Sequence, residues 1–266
     1  MSDHTFRSVE RTRPVAPYVG GKKQLAAAVI ERIDAIPHTT YAEVFVGMGG
    51  VFFRRTRAPR AEVVNDLSSD VATLFRVLQR HYVPLMDELR WRLTSRREFE
   101  RLAASDPATL TDLERAARFL YLQRTTFGGK VAARSFGVSP TNSGRFDIAK
   151  LGPILEAAHE RLSGVIIEAL PYADFLARYD RPGTLFYLDP PYWGSEGDYG
   201  RDMFGREDFE RLAKALASLQ GRFVMSINDT PEVRKVFKRF ALAEVDVTYT
   251  ISRGEGVRRG ELIVTG

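Results

Sequence analysis

The residues of this chain best suited to chemistry lie together in one short segment, Asp189-Pro190-Pro191-Tyr192. The segment follows the apolar run Thr184–Leu188, which comes after Pro182-Gly183 and therefore predicts a buried strand entered from a turn. Neither proline can donate a backbone hydrogen bond, so the strand must end where they begin. We therefore expect a carboxylate, rigid carbonyl groups and an aromatic ring at the carboxyl edge of a sheet, where α/β proteins bind ligands.

This segment suits the binding of a planar amino group. A carboxylate and a neighbouring carbonyl both accept hydrogen bonds, so together they can hold the two hydrogens of an amino group. An aromatic ring beside them can stack on the heterocycle that carries it. The alternative is a strand-ending turn in which Asp189 caps the chain while Tyr192 and Trp193 pack. The complete four-residue string after an apolar strand favours the functional interpretation.

A glycine-rich turn, Gly47 to Gly50, follows a second predicted buried strand, Tyr41–Val46. Val51–Arg54 is predicted to begin a helix, and glycines between a strand and a helix let a nucleotide-like ligand approach the backbone. The next predicted strand, Ala61–Val64, ends in Asn65-Asp66, where an acid can hold a ribose diol. These features predict an adenosine-containing cofactor. A tight turn with Asp66 as a helix N-cap is the competing interpretation.

The remaining pattern alternates strands and helices. A helix is predicted over Lys23–Ile36, and the stretch from Leu67 to Leu162 is mostly helical except for a loop-like part between Thr125 and Asp147. The later predicted elements are the helix Arg206–Leu219 and the strands Val165–Ala169, Thr184–Leu188, Phe223–Ile227, Leu242–Val247 and Glu261–Thr265. This order predicts a mainly parallel α/β sheet with a helical insertion.

Composition limits the class of protein. The chain is 44% hydrophobic and 27% charged, as in soluble globular proteins, and no apolar run reaches membrane-spanning length. It has no cysteine, which excludes disulfides and thiol chemistry and favours an intracellular, cytoplasmic location. Its four histidines are too scattered for metal-ligand spacing, so no metal is expected. The net charge of +5 favours a polyanionic partner.

Five motifs in a fixed order carry a family resemblance. They are Pro17-Tyr18-Val19-Gly20-Gly21-Lys22, the segment Glu43 to Phe52, Asn65-Asp66, Phe119 to Arg124, and Asp189-Pro190-Pro191-Tyr192. Over roughly residues 14–266 the chain resembles Dam-type (D12 class, α-group) DNA adenine-N6 methyltransferases, which use S-adenosylmethionine (SAM). The resemblance implies a Rossmann-like SAM-dependent methyltransferase sheet with a helical target-recognition insertion. It also implies double-stranded DNA as the partner, without a membrane or a metal.

The resemblance assigns roles to individual residues. It implies that Asp189 and the Pro190 carbonyl hold the target N6, with Pro191 beside them and Tyr192 stacked on the flipped base. Lys22 is expected near the methionine carboxylate of SAM, Asp66 on the ribose and Asp174 on the adenine amino group. The expected cofactor-binding residues are Tyr18, Gly21, Lys22, Glu43, Phe45, Gly47, Gly49, Asp66, Asp174, Phe175 and Asp189. The expected DNA-binding residues come from residue types rather than from the resemblance. They are Arg124 and, in the loop-like part between Thr125 and Asp147, the candidate phosphate and base-edge contacts Lys130, Arg134, Asn142 and Arg145. A disordered surface loop is the alternative for that part.

The same resemblance implies two domains. Residues 1–70 and 161–266 are expected to form the catalytic, SAM-binding domain, and residues 71–160 the target-recognition domain. Two positions depart from the family pattern: Val44 replaces the usual proline after Glu43, and Gln123 replaces an asparagine. The target sequence therefore cannot be transferred from the family, and a partner restriction endonuclease is left open.

The predicted reaction is methyl transfer from SAM to adenine N6 of a base flipped out of duplex DNA. Methylation of cytosine N4, or of an amide nitrogen in RNA or protein, would use the same acceptor geometry. A non-catalytic SAM- and DNA-binding protein is a third interpretation, which the intact Asp189–Tyr192 segment disfavours. A nucleotide-dependent oxidoreductase is disfavoured because Phe52 interrupts the G-x-G-x-x-G pattern.

Overall fold

The computed structural model describes residues 6–18, 22, 24–131, 134–137, 141, 143–195, 204–249 and 257–266. Its strands are β1 (Arg7–Ser8), β2 (Thr40–Glu43), β3 (Arg57–Ala58), β4 (Ala61–Asn65), β5 (Ile166–Glu168), β6 (Thr184–Leu188), β7 (Arg222–Asn228), β8 (Ala241–Tyr249) and β9 (Val257–Thr265). Its α-helices are α1 (Ala26–Ala35), α2 (Ser69–Arg80), α3 (Tyr82–Arg90), α4 (Arg96–Ala104), α5 (Asp112–Thr125), α6 (Ile148–Leu162), α7 (Tyr172–Tyr179), α8 (Arg206–Ala217) and α9 (Pro231–Phe237). Short 3-10 helices cover Phe52–Arg54, Pro107–Thr109 and Phe127–Gly129.

The centre of the fold is a seven-stranded sheet in the order β5-β4-β2-β6-β7-β9-β8. The first five strands are parallel, and β9 runs antiparallel to both β7 and β8. The strand order reverses between β2 and β6, so the connections leave their carboxyl ends in opposite directions and open a crevice there. The expected mainly parallel α/β fold is confirmed, and β6 has the predicted boundaries, with all of its side chains buried.

Helices α2 to α6 lie between β4 and β5 in the chain, where the helical insertion was expected. A buried ion-pair cluster attaches the last of them to the sheet. Glu62 of β4 accepts hydrogen bonds from both terminal nitrogens of Arg161, at 2.7 and 2.8 Å, and from Arg55 at 2.9 Å. Each guanidinium also covers an aromatic ring, Arg55 on Tyr41 and Arg161 on Phe52. Losing Glu62 would leave two buried cations uncompensated, which is strongly destabilising.

An N-terminal ribbon runs antiparallel to the segment after the glycine turn. Strand β1 pairs with β3, and the pairing continues as Val9 N–H donates to Thr56 O (3.0 Å) and Thr12 N–H to Phe53 O (2.8 Å). The helix predicted to begin at Val51–Arg54 is a single 3-10 turn, Phe52–Arg54, after which the backbone joins this ribbon. Helix α9 was not predicted.

Helix ends follow local capping. Helix α6 begins at Ile148, directly after the loop-like part that was predicted to end at Asp147, because the Asp147 side chain accepts a hydrogen bond from Ala149 N–H (3.1 Å). Within the described residues, no helix combines the length and apolar character that crossing a membrane requires.

Candidate active site

A cavity of about 1350 Å³ opens at the carboxyl ends of β2, β4 and β6. It lies at the reversal of the strand order, where a ligand site is expected in this class of sheet. The glycine turn, the residues after β4 and β5, and the segment that follows β6 all contribute to its wall. Of the predicted site residues, the cavity wall includes Tyr18, Lys22, Glu43, Phe45, Gly47, Asp66, Arg124, Asp189 and Pro191.

The glycine turn presents bare backbone to this cavity. Gly47 has a φ of +50°, and a Cβ atom there would lie 3.1 Å from the ring of Tyr18. Gly49 has a φ of +70°, and a Cβ there would lie 2.4 Å from the ring of Phe53. Both positions therefore require glycine, Gly47 at the cavity wall and Gly49 for packing beneath it. This is a cradle that suits the close approach of a cofactor.

Asp66, after β4, faces the same turn. Its two carboxylate oxygens accept hydrogen bonds from Gly47 N–H (2.8 Å) and Ser68 N–H (2.9 Å). Each oxygen keeps a second lone pair, so the group can still accept two hydroxyl donors. Burial raises the pKa of Asp66 to about 6. The acid is therefore ionised at neutral pH and placed to bind a diol.

Buried Asn65 fixes the floor of the cavity. Its amide donates to Val44 O (2.9 Å) and Leu170 O (3.0 Å), and its oxygen accepts from Leu170 N–H (2.8 Å). One side chain thus connects the segments that follow β2, β4 and β5, which holds three parts of the wall in register.

Asp189 stands at the end of β6 in a chain of polar contacts. Lys22 Nζ lies 2.8 Å from its Oδ1, which also accepts from Ser226 Oγ at 3.2 Å. The Ser226 hydroxyl in turn contacts the Tyr187 hydroxyl at 2.8 Å. Burial raises the pKa of Asp189, while the Lys22 ammonium opposes the rise. The carboxylate is thus a partly buried acceptor whose one described cationic contact is Lys22.

Tyr192 shares Lys22 with Asp189. Lys22 Nζ donates to the Tyr192 hydroxyl at 2.6 Å and lies 4.3 Å from the centre of its ring, and that hydroxyl donates to the buried Glu261 on β9. The next residue is fixed to the end of β7, since Trp193 N–H donates to Asn228 Oδ1 (2.9 Å) and Asn228 Nδ2 to Trp193 O (3.0 Å). These contacts set the position of the segment after Asp189.

Glu43, at the end of β2, is fully buried at the cavity wall. The Tyr41 hydroxyl donates to it at 2.6 Å. Burial raises the pKa of Glu43 to about 8, although the Tyr41 hydrogen bond and the charge of Arg55 oppose the rise. Glu43 is therefore mostly protonated at neutral pH, which avoids a second negative charge near Asp189.

Three aromatic rings form one side of the cavity. The centres of Phe45, Tyr172 and Phe204 lie 5.8 to 6.0 Å from one another, and the Tyr172 hydroxyl donates to Asp208 at 3.2 Å. Such rings suit the faces of a flat heterocycle, with an acid at their edge that can accept from an amino group.

A family model decides between the chemistries that this geometry allows. The model of the D12 class N6 adenine-specific DNA methyltransferases matches residues 18–251. The match covers most of the chain, including the glycine turn, Asp66 and the Asp189–Tyr192 segment. This chain belongs to that family.

Relatives agree with the assignment. The methyltransferase is 28% identical to the type II methyltransferase M1.LlaDCHI of Lactococcus lactis subsp. cremoris, over 95% of each chain. It is 24% identical to the type II methyltransferase M.CviBI of Paramecium bursaria Chlorella virus NC1A, over 95% of this chain and 96% of that one. Among solved structures, a ribosomal protein L11 methylase from Lactobacillus delbrueckii subsp. bulgaricus is similar over 96% of this chain and 83% of that one at 13% identity; its TM-score of 0.39 adds nothing to the assignment.

The methyltransferase is therefore an adenine-specific, SAM-dependent DNA-modifying enzyme, and its partner is DNA. The cytosine-N4 and non-catalytic interpretations of the sequence are set aside. The residues present fit SAM, because the glycine cradle admits the ligand and Asp66 retains acceptors for its ribose. The described residues contain no group of side chains that could hold a metal ion.

The structure does not bring every predicted residue of the methyltransferase to the cavity. Asp174 lies on the exposed side of α7 and Phe175 is buried in the core, while Tyr172, two residues before Asp174, reaches the wall instead. The cause is helical phase, since Phe175 and Leu176 form the buried face of α7. Pro190 and Tyr192 adjoin the cavity through Asp189 and Lys22 rather than forming its wall.

The predicted DNA-binding residues do not lie together in the structure. Arg124 reaches the cavity, whereas Lys130 is exposed on the loop after α5. Arg134 covers the ring of Phe119, and Arg145 donates to Thr126 O at 3.1 Å. Gly21 and Asn142 lie outside the described residues.

Sequence reasoning missed several residues of the methyltransferase site. These are Arg11, Arg13, Arg54, Tyr172, Tyr187, Phe204, Asp208, Ser226 and Glu261. Ser226 and Glu261 carry the one signal that could have found them, which is a lone polar residue at a buried position of an apolar strand.

Proposed function

We propose that the cavity holds SAM and a flipped adenine side by side, with the amino group of the base at Asp189. The observation that carries this proposal is the shared cavity of the glycine turn and Asp189, which follow the adjacent strands β2 and β6. Two ligands that react with each other must lie within contact distance, and neighbouring parallel strands are about 4.8 Å apart.

Asp189 and the Pro190 carbonyl are proposed to bind the two N6 hydrogens. The adenine amino nitrogen is a poor nucleophile, because its lone pair is delocalised into the ring. Two acceptors placed out of the ring plane favour a more tetrahedral nitrogen whose lone pair is aimed at the methyl group. Bound SAM supplies that methyl group on a positively charged sulfur. The Asp189 carboxylate, whose pKa is raised by burial, can hold the proton that N6 releases.

The cofactor is proposed to lie along the glycine turn. Asp66 would accept from the ribose hydroxyls, and Phe45, Tyr172 and Phe204 would surround the adenine ring. Tyr172 takes the place that the resemblance implied for Asp174, since the Asp174 side chain is exposed away from the cavity. Protonated Glu43 would form a neutral, polar part of the cavity wall.

Lys22 holds one oxygen of Asp189 and leaves the other for the base. Its ammonium contacts Oδ1, so Oδ2 can accept from the N6 amino group. Extruding a base from the duplex costs a few kcal/mol, and stacking on an aromatic ring such as Tyr192 returns about 1–3 kcal/mol. Lys22 also contacts Tyr192, so one cation would help to position both groups.

The helical insertion, residues 71–160 by the sequence analysis, is proposed to read the target. Arg124, Lys130, Arg134, Asn142 and Arg145 are its proposed DNA contacts. Because the relatives named above are type II methyltransferases, a partner restriction endonuclease and a cytoplasmic location are part of this proposal.

The experiment is transfer of labelled methyl from SAM to mixed genomic DNA, followed by digestion to nucleosides. We expect the label in N6-methyladenine. Asp189→Asn should abolish transfer and leave SAM binding nearly unchanged. Asp112→Asn is the matched control, because Asp112 pairs with Arg76 at the surface, away from the cavity. Loss of SAM binding in Asp189→Asn, or equal loss of transfer in both variants, would overturn the role given to Asp189.

A further inference from the structure

Four arginines at the wall of the cavity have no counter-ion in the described part of the chain. Arg11, Arg13, Arg54 and Arg124 all contribute to the wall, and none forms an ion pair with a described carboxylate. Arg11 and Arg13 are exposed, whereas Arg54 and Arg124 are half-buried. We call these four residues the arginine rim.

The N-terminal ribbon brings the rim together. Because Thr12 N–H donates to Phe53 O, Arg11 and Arg13 lie beside Arg54. The same segment then crosses to the end of α5, where Gln123 Nε2 donates to Pro17 O (2.9 Å) and Arg124 Nη1 lies 3.5 Å from Val15 O. One stretch of chain thus connects Arg54 on one side with Arg124 on the other.

The positive charges of the arginine rim are not neutralised by the described part of the chain. Burial lowers the pKa of Arg54, and the like charge of Arg11 lowers it further. Burial also lowers the pKa of Arg124, whose buried Nε has no hydrogen-bond partner. Arg54 donates to Gly50 O at 2.5 Å, which holds the side chain without neutralising it. Like charges placed together cost free energy unless an anion binds between them.

We infer that the arginine rim binds the phosphates of the DNA strand on either side of the flipped adenine. This inference rests on the proposed function. Four cations exceed the single carboxylate of SAM, while a DNA backbone supplies one charge per nucleotide. The two exposed members face solvent, from which a duplex approaches. Apart from Arg124, the rim is separate from the DNA contacts predicted in the helical insertion, and Arg11 and Arg13 precede the part of the chain that matches the family model.

The test is the salt dependence of DNA binding by the double variant Arg11→Gln/Arg13→Gln. Affinity for a short labelled duplex is measured by fluorescence anisotropy over a series of salt concentrations. Each phosphate contact contributes about 0.9 to the slope of log affinity against log salt. Removing two contacts should therefore reduce the magnitude of the slope by about 1.8. SAM affinity should stay within about twofold of the wild type. Arg32→Gln/Arg222→Gln is the control, because it removes the same charge from two exposed positions away from the cavity.

Two outcomes of the binding measurements overturn the inference, and a third result bears on the proposed function. Weaker SAM binding with an unchanged DNA slope would assign the rim to the cofactor carboxylate. The same slope in both double variants would reduce the rim to general surface charge. Failure of the wild type to methylate DNA would contradict the proposed function itself, and this result is read independently of the slopes.

Discussion

The ammonium of Lys22 lies 2.8 Å from the carboxylate of Asp189 and 2.6 Å from the hydroxyl of Tyr192. One cation therefore contacts both side chains that are proposed to receive the target base. Its charge also opposes the rise in the pKa of Asp189 that burial causes.

Lys22→Met should shift the acid limb of the pH–rate profile to higher pH. Without the ammonium, burial acts unopposed by its main counter-charge, so the pKa of Asp189 rises and the carboxylate is protonated at a higher pH. The measurement is kcat/KM for DNA against pH at saturating SAM, which reports the enzyme before DNA binds, where Lys22 and Asp189 are paired. Lys214→Met, which changes an exposed residue of α8, is the control. An acid limb that stays in place would mean that Lys22 does not act on Asp189.

The Glu43→Gln variant should become more stable than the wild type as the pH rises. The pKa of Glu43 is about 8 in the folded protein against an ordinary 4.5, so between these values the native state holds a proton that the unfolded chain has lost. The free energy of unfolding then falls with rising pH by up to about 1.4 kcal/mol per unit, and the variant lacks this dependence. Urea denaturation at several pH values measures the difference. Parallel stability curves for the two proteins would contradict the raised pKa.

SAM affinity should fall as the pH drops through about 6. Burial raises the pKa of Asp66 to that value, and protonation removes acceptor capacity that the ribose hydroxyls need. Asp66→Asn should bind SAM about tenfold or more weakly at neutral pH, as expected for losing a hydrogen bond to a charged group, and should lose the pH dependence. Isothermal titration calorimetry with SAM tests both points. A wild-type affinity that does not change between pH 5 and 8 would exclude the proposed contact.

Tyr172→Ala should weaken SAM binding, whereas Asp174→Ala should leave it nearly unchanged. Tyr172 belongs to the aromatic wall with Phe45 and Phe204, and Asp174 is exposed on the other side of α7. Loss of one stacking ring costs about 1–3 kcal/mol, which is a loss of about 5-fold to 150-fold in affinity. The opposite ranking of the two variants would restore the role that the family resemblance gave to Asp174.

The parts of the fold that were predicted correctly carry strong local signals. The apolar run of β6 is bounded by Pro182-Gly183 and Pro190-Pro191, and its ends were therefore predictable. Contacts between distant segments were not. The ribbon that replaces the expected helix at Val51 depends on pairing with β1, and the bond between Tyr192 and Glu261 joins residues separated by 69 positions. The sequence also did not show which side of α7 faces the cavity, because Tyr172 and Asp174 both lie just before the same short apolar pair, Phe175-Leu176.

The buried cluster of Glu62, Arg55 and Arg161 limits how this enzyme can be re-engineered. Glu62 lies on the strand that leads to Asp66, and Arg161 is in the last turn of the inserted helices. A chimera that takes these helices from a relative should therefore keep an arginine at position 161, because without it Glu62 loses a buried partner on the strand that ends beside Asp66. One splice point belongs after Glu62 and the other before Arg161, so that both partners come from the same protein.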